Sequence, residues 1–287
     1  MTRPTYGVQD MNRLESLQQI VAKAQTGELV FPSSVAIAMK LRKLIDDPDI
    51  HLAATTDLVK IEPVLSARVV AMANSVAYRR SEDDITDVAT AVAKIGLRSV
   101  RTMVQALIVR QLAGAPKDAR TQAVASQLWE HTAHVASLAR MLARRVTHLD
   151  PETALFTGLV HEAGSFYLLS RTAEFPALLD EDRADGEEEL ELHVHRWVAR
   201  TLDLPAPVVE ALEIAWQGYV ASPPVTLGDT VALAKELAPV ASPLVRLASG
   251  RVIAPIEMSI GEENLTDILL ASSEEVDSLT RTLGGFR

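Results

Sequence analysis

The stretch GLVHEAGSFYLL, residues 158–169, sets an imidazole and a carboxylate side by side, at His161 and Glu162, in an apolar run. Both are ligands that hard and borderline divalent ions accept. The doublet raises the question of whether it holds a metal and hydrolyses a phosphoester or is left over from such a site. His131 falls on the apolar stripe of the helix expected over 121–146, where Leu128, Val135, Leu138 and Leu142 recur at spacings of three and four. His193 and His195 stand two apart in LELHVHRW, which sends them in different directions on a helix and argues against joint chelation. Arg98 and Arg101 stand three apart in a stretch with no acid from Val88 to Lys117, a candidate anion patch whose plainer reading is a solvated helix face. Ser165 lacks the G-x-S-x-G setting of a hydrolase nucleophile, and no phosphate-cradling glycine loop surrounds it. For His131, His134 and His161 the plain alternative is a neutral imidazole hydrogen-bonded within a core.

The elements that position these residues read as helices almost throughout. MNRLESLQQIVAKAQTG carries a stripe at Leu14, Leu17, Val21 and Ala24 and stops at Gly27. FPSSVAIAMKLRKLIDDPD begins with Pro32 and a serine cap, Ser33 or Ser34, and closes at an Asp-Pro turn. Pro63 divides the next run into two helices, and Asn74-Ser75 is expected to end the second by bonding a neighbouring turn. A pair of helices punctuated by Gly96 reaches Leu112, and AGAPKDART then looks like a joint between two lobes. Asp150 and Pro151 open an apolar helix with Glu152 in its first turn. The acid-rich 180–191 reads as a hydrated loop leading into a helix. Further helices are expected near 208–215, 229–237, 264–270 and 274–283, the last with a capping box from Ser272 to Glu275. No strand pair is expected.

Composition bounds the rest. The 287 residues, 48% of them hydrophobic, can bury one large core or two modest lobes. Absent cysteine excludes disulfides and thiolate metal sites and fits a reducing cytoplasm. Neither a signal segment nor a membrane span is expected. Residues 1–115 carry 14 Lys+Arg against 12 Asp+Glu and residues 116–287 carry 14 against 26, so the halves stand at +2 and −12. That acidic second half argues against broad nucleic-acid binding.

The chain resembles the HD-related output domain, HDOD. The resemblance rests on Asp47-Pro48, on Asn74-Ser75 with Tyr78 in ANSVAY, and on Ala91 and Gly96 in TAVAKIGLRSVRTMV, and it covers about 31–220. Glu62 departs from the family's usual aspartate before the second proline. The resemblance implies an all-α, two-lobed fold with lobes at 1–115 and 116–287, the second HD-like with a C-terminal helical extension. It implies a non-catalytic role in bacterial signal transduction through contact with other signalling proteins, with a link to cyclic-dinucleotide pathways as one option.

An active HD phosphohydrolase uses a histidine, a His-Asp doublet and a later aspartate. By motif these positions are His131, His161-Glu162 and Lys235, so two of the four are unchanged. Glu162 can still ligate, whereas the Lys235 ammonium repels a cation and can take over its charge-balancing role. The places for histidines of a second metal look like Ala215 and Trp216. The resemblance thus implies a degenerate centre, no metal, no cofactor and no catalysis. The rival reading is a metal-dependent phosphohydrolase with His131, His161 and Glu162 as ligands. A third is a nucleotide second-messenger effector using Arg98 and Arg101.

Overall fold

The computed structural model describes residues 11–27, 31–79, 84–180, 184–218, 221, 223–244, 259–260 and 263–284. The fold is all-α. Asn12 and Glu15 close a capping box that starts α1 (Arg13–Gln25). α2 (Ser33–Ile45) follows Pro32, and no side-chain cap bond starts it; the side chains of Ser33 and Ser34 lie outside the described residues. α3 (Leu52–Ile61) and α4 (Pro63–Asn74) meet at Pro63, whose missing N–H costs nothing in a first turn, while the Glu62 side chain accepts from Leu65 N at 2.5 Å.

α5 (Val88–Leu112) is the central rod of the first half. It is buried almost without interruption from Ser99 to Leu112 and packs on α2, α3, α4, α7 and α8. Its regular backbone breaks at Gly96, with φ 77° and ψ 166°, a region open in practice only to glycine. No neighbouring atom lies within 4 Å of a Cβ built there, so the conformation and not the space demands glycine.

α6 (Ala119–Leu142) continues as a π-helical turn at Ala143–Thr147, and α7 (Pro151–Val160) packs against it. α8 (Ala163–Ser170), α9 (Glu187–Thr201), α10 (Ala206–Trp216) and α11 (Leu227–Leu237) complete the surroundings of the His-Glu doublet. One apolar cluster runs from Leu17 to Leu283 across the link between α5 and α6, and a second gathers α6, α11 and the C-terminal helix.

Several expectations need correction. β1 (Ser259–Ile260) and β2 (Glu263–Asn264) form a two-residue antiparallel pair where no strand pair was expected. The two helices expected near the C-terminus are one, α12 (Leu265–Gly284). Its Glu275 does not turn back as a cap but pairs with Arg140 at 2.7 Å and with Arg144. The acid-rich segment is not simply hydrated: Glu187 and Glu191 are buried and pair with Arg13 of α1, itself only 4% exposed. Outside 31–220, then, α1 and α12 form part of the core. Trp129 Nε1 donates to Leu283 O at 3.0 Å and fixes α12 on α6. Among the described residues no helix is long and apolar enough to cross a membrane.

Candidate functional site

The doublet does not lie within a helix. α7 ends at Val160 and α8 begins at Ala163, and Glu162 sits between them at φ −105°, ψ 17°, in the sparsely populated bridge region. The break turns both side chains inward, where His131 of α6 meets them. His131 Nε2 and His161 Nε2 are 3.3 Å apart, and His161 Nε2 is 3.9 Å from Glu162 Oε1. Each imidazole is anchored from behind, His131 Nδ1 on Val240 O and His161 Nδ1 on Gly158 O, both at 2.7 Å. One ligand atom from each of the three residues lies within 4.8 Å of the others.

His195 of α9 adds a third buried imidazole that the spacing argument had set aside. It diverges from exposed His193, as helical geometry requires, and this turns it inward. Ser165 links the two, donating to Glu162 and lying 3.4 Å from His195 Nε2. The α8–α9 approach depends on Gly164, where a Cβ would fall 2.7 Å from the His195 ring and 2.8 Å from its Cα.

Lys235, in the last turn of α11, lines the same small cavity as His161, Glu162 and His195. Its ammonium donates to Ala215 O at 3.2 Å and acts on Glu162 through space. The Trp216 ring lies tilted 5.3 Å from that of His195, and its Nε1 donates to His161 O at 3.1 Å. The two positions where further histidines were sought, Ala215 and Trp216, therefore brace the lysine and the doublet.

Burial governs the protonation states. It drives His161 down to about 3, with Glu162 pulling upward and His131 and Lys235 pushing further down. It likewise drives His195 down to about 4 against the pull of Glu162, and it lowers His131. Burial alone would raise Glu162; the surrounding imidazoles and Lys235 outweigh it and bring the carboxyl to about 2. Lys235 is lowered by burial, with Glu162 opposing. At neutral pH the cluster thus holds neutral imidazoles around one carboxylate and one amine.

The remaining sequence-selected residues lie elsewhere. Asn74 clamps the turn at Ile85, donating to its O at 2.7 Å and accepting from its N at 2.8 Å, while Ser75 donates to Met72 O at 2.7 Å. Tyr78 donates to Glu152 at 2.6 and 2.7 Å, and Arg140 lies over its ring at 4.7 Å. Arg140 also binds Glu152 at 3.1 Å, and Ser99 donates to it at 3.1 Å. Gly96 ends the first segment of α5, two residues before Arg98. Arg98 pairs with Asp150 at 3.1 Å, and Arg101 donates to Ile45 O at 3.0 and 3.2 Å.

This all-helical arrangement, with a histidine on one helix facing a histidine-carboxylate doublet at the junction of two others, defines an HD-related fold. The HDOD domain model matches residues 31–210, and the chain belongs to that family. Among solved structures, a "putative metal-dependent phosphohydrolase" of Shewanella amazonensis SB2B is 19% identical with a TM-score of 0.69, over 94% of this chain and 98% of that one. An HDOD domain protein of unknown function from Geobacter sulfurreducens is 21% identical with a TM-score of 0.62, over 94% and 98%. A "putative signal transduction protein" of Marinobacter aquaeolei VT8 is 17% identical with a TM-score of 0.59, over 96% and 67%. No curated protein matches the chain.

Three ligand atoms converge and both histidines are oriented from behind, as metal-binding histidines are. The fourth side chain is an amine in place of a carboxylate, and burial lowers its pKa while Glu162 opposes the shift. As an ammonium it repels a dication and as a free amine it brings no negative charge, so the residues present leave Glu162 alone to balance the ion and do not fit it.

Proposed function

We propose that the chain is a non-catalytic regulatory module of signal transduction that works by contact with other proteins. The observation that carries the reading is the cavity at the HD-related centre. Its volume is about 20 Å³, room for a water-sized group and not for a phosphoester, and an amine occupies one of its walls. Leu44, Leu52, Ile61 and Val64 expose apolar side chains on α2, α3 and the start of α4 and offer contact surface. The name of the Marinobacter neighbour agrees with such a role.

The rival is hydrolysis of a phosphoester. The convergence of His131, His161 and Glu162 favours it, as does the name of the Shewanella neighbour. The test pairs two measurements on the purified chain. Hydrolysis of bis-p-nitrophenyl phosphate with manganese is expected to match the background of His161→Ala. Co-precipitation from the native cell is expected to recover a signalling protein that Ile61→Glu with Val64→Glu no longer captures. Turnover by the wild type that His161→Ala abolishes would overturn the proposal.

A further inference from the structure

We infer that the cavity framed by α5, α6 and α12 is a docking groove for an extended peptide that carries an acidic and a basic side chain two residues apart. The inference rests on the regulatory reading and names the chemistry of the partner segment. The cavity has a volume of about 940 Å³, in the range of ligand sites. Gln122, Ser126, Trp129 and Ala133 line it at spacings of four, three and four, so one face of α6 is its floor. From Gln122 to His134 that floor runs roughly 18 Å, the span of about five extended residues. Arg110 near the end of α5 and Asp277 and Arg281 of α12 stand on its walls.

Arg110 selects an anion. Its guanidinium lies over the Trp129 ring, 5.5 Å from the centroid, and makes no hydrogen bond or ion pair among the described residues. None of its nitrogens is closed off from solvent, so its donors open into the cavity. The side chain is half-buried, and burial and the neighbouring Arg68 both lower its pKa. An incoming carboxylate opposes both effects and matches the planar donors. The acids of the cavity act elsewhere. Glu130 and Asp277 are exposed, have no ion pair among the described residues, and pull upward on His134, which burial lowers. Arg281 donates from Nε to the Asp277 carbonyl at 3.3 Å and leaves its carboxylate open. The groove is thus cationic at Arg110 and anionic around His134. A nucleotide or other polyanion meets repulsion at the second pole, and a lone carboxylate uses only the first. A peptide with one acid and one base uses both. Trp129 and His134 are five residues apart, roughly 7.5 Å along α6, and two extended residues span about 7 Å with their side chains on one face.

Fluorescence anisotropy of the whole chain with labelled, end-blocked alanine hexapeptides tests the inference, with Asp, Lys or Ala at the second and fourth positions in every combination. Peptides with one Asp and one Lys are expected to bind saturably, at least tenfold more tightly than those with two Asp, two Lys or two Ala. Arg110→Glu is expected to turn the preference towards two Lys. Glu130→Lys with Asp277→Lys, at exposed positions where folding is not at stake, is expected to turn it towards two Asp. Absence of saturable binding, equal affinity across the panel, or a preference that neither charge reversal changes would overturn the inference. Such a failure leaves the regulatory reading standing, which falls instead to phosphoester turnover that His161→Ala abolishes.

Discussion

Two buried polar clusters lie along α6, one built around His131 and the other around Arg140, and they are satisfied in different ways. In the Arg140 cluster every charge has a direct partner: Glu152 binds Tyr78, Ser99 and Arg140, and Glu275 binds Arg140 and Arg144. It ties the turn after α4 to α5, α6, α7 and α12. In the His131 cluster the imidazoles are neutral, the carboxylate bonds to a serine, and the amine bonds to a backbone carbonyl. The first cluster has the form of a structural lock. The second gathers neutral imidazoles around one carboxylate, with Lys235 in the same cavity. Position along one helix does not decide which role a polar residue takes; the identity of the facing groups does.

The largest expected effect separates the two clusters. Arg140→Met leaves Glu152 and Glu275 without their buried cation and is expected to cost about 3–5 kcal/mol in urea unfolding. A cost below about 1 kcal/mol would show that the lock contributes little.

Acid titration probes the other cluster. His195 is held near 4, below the ordinary imidazole value of 6.5, so on acidification the unfolded chain takes the proton first. Its contribution is fully present above pH 6.5 and is lost as pH falls towards about 4, at roughly 1 kcal/mol per pH unit. His195→Leu is expected to flatten the pH dependence of unfolding in that window, and an unchanged slope would count against the buried neutral imidazole.

The smallest effect refines the lock. Tyr78→Phe keeps the ring under Arg140 and removes one hydrogen bond to a carboxylate, for an expected loss of about 1.5 kcal/mol. Equal unfolding midpoints for the variant and wild type would mean that Ser99 and Arg140 suffice for Glu152.

Much of this was legible in the sequence where short-range patterns carry it. The helical stripe placed His131 inside, Asp150 and Pro151 marked the start of α7, and Asn74-Ser75 ends α4 as such residues do. What was not legible depends on partners distant in the chain. The apolar run through His161 has no polar face, so its period could not reveal the break between α7 and α8. The spacing of His193 and His195 speaks only to their pairing with each other, whereas the neighbours of His195 are Ser165 and Trp216. Ser272 and Glu275 have the spacing of a capping box, yet tertiary pairing with Arg140 and Arg144 takes the glutamate and the helix runs on. Arg13 likewise gave no local sign that it would neutralise Glu187 and Glu191.

We propose that Lys235 stands in for a cation at the HD-related centre. The direct measurement is thermal unfolding of wild type and Lys235→Asp across a manganese titration, because a ligand that binds only the folded state must raise Tm. Manganese is expected to leave the wild-type Tm unchanged and to raise the variant Tm to saturation. A wild-type Tm that climbs and saturates at micromolar manganese would contradict it.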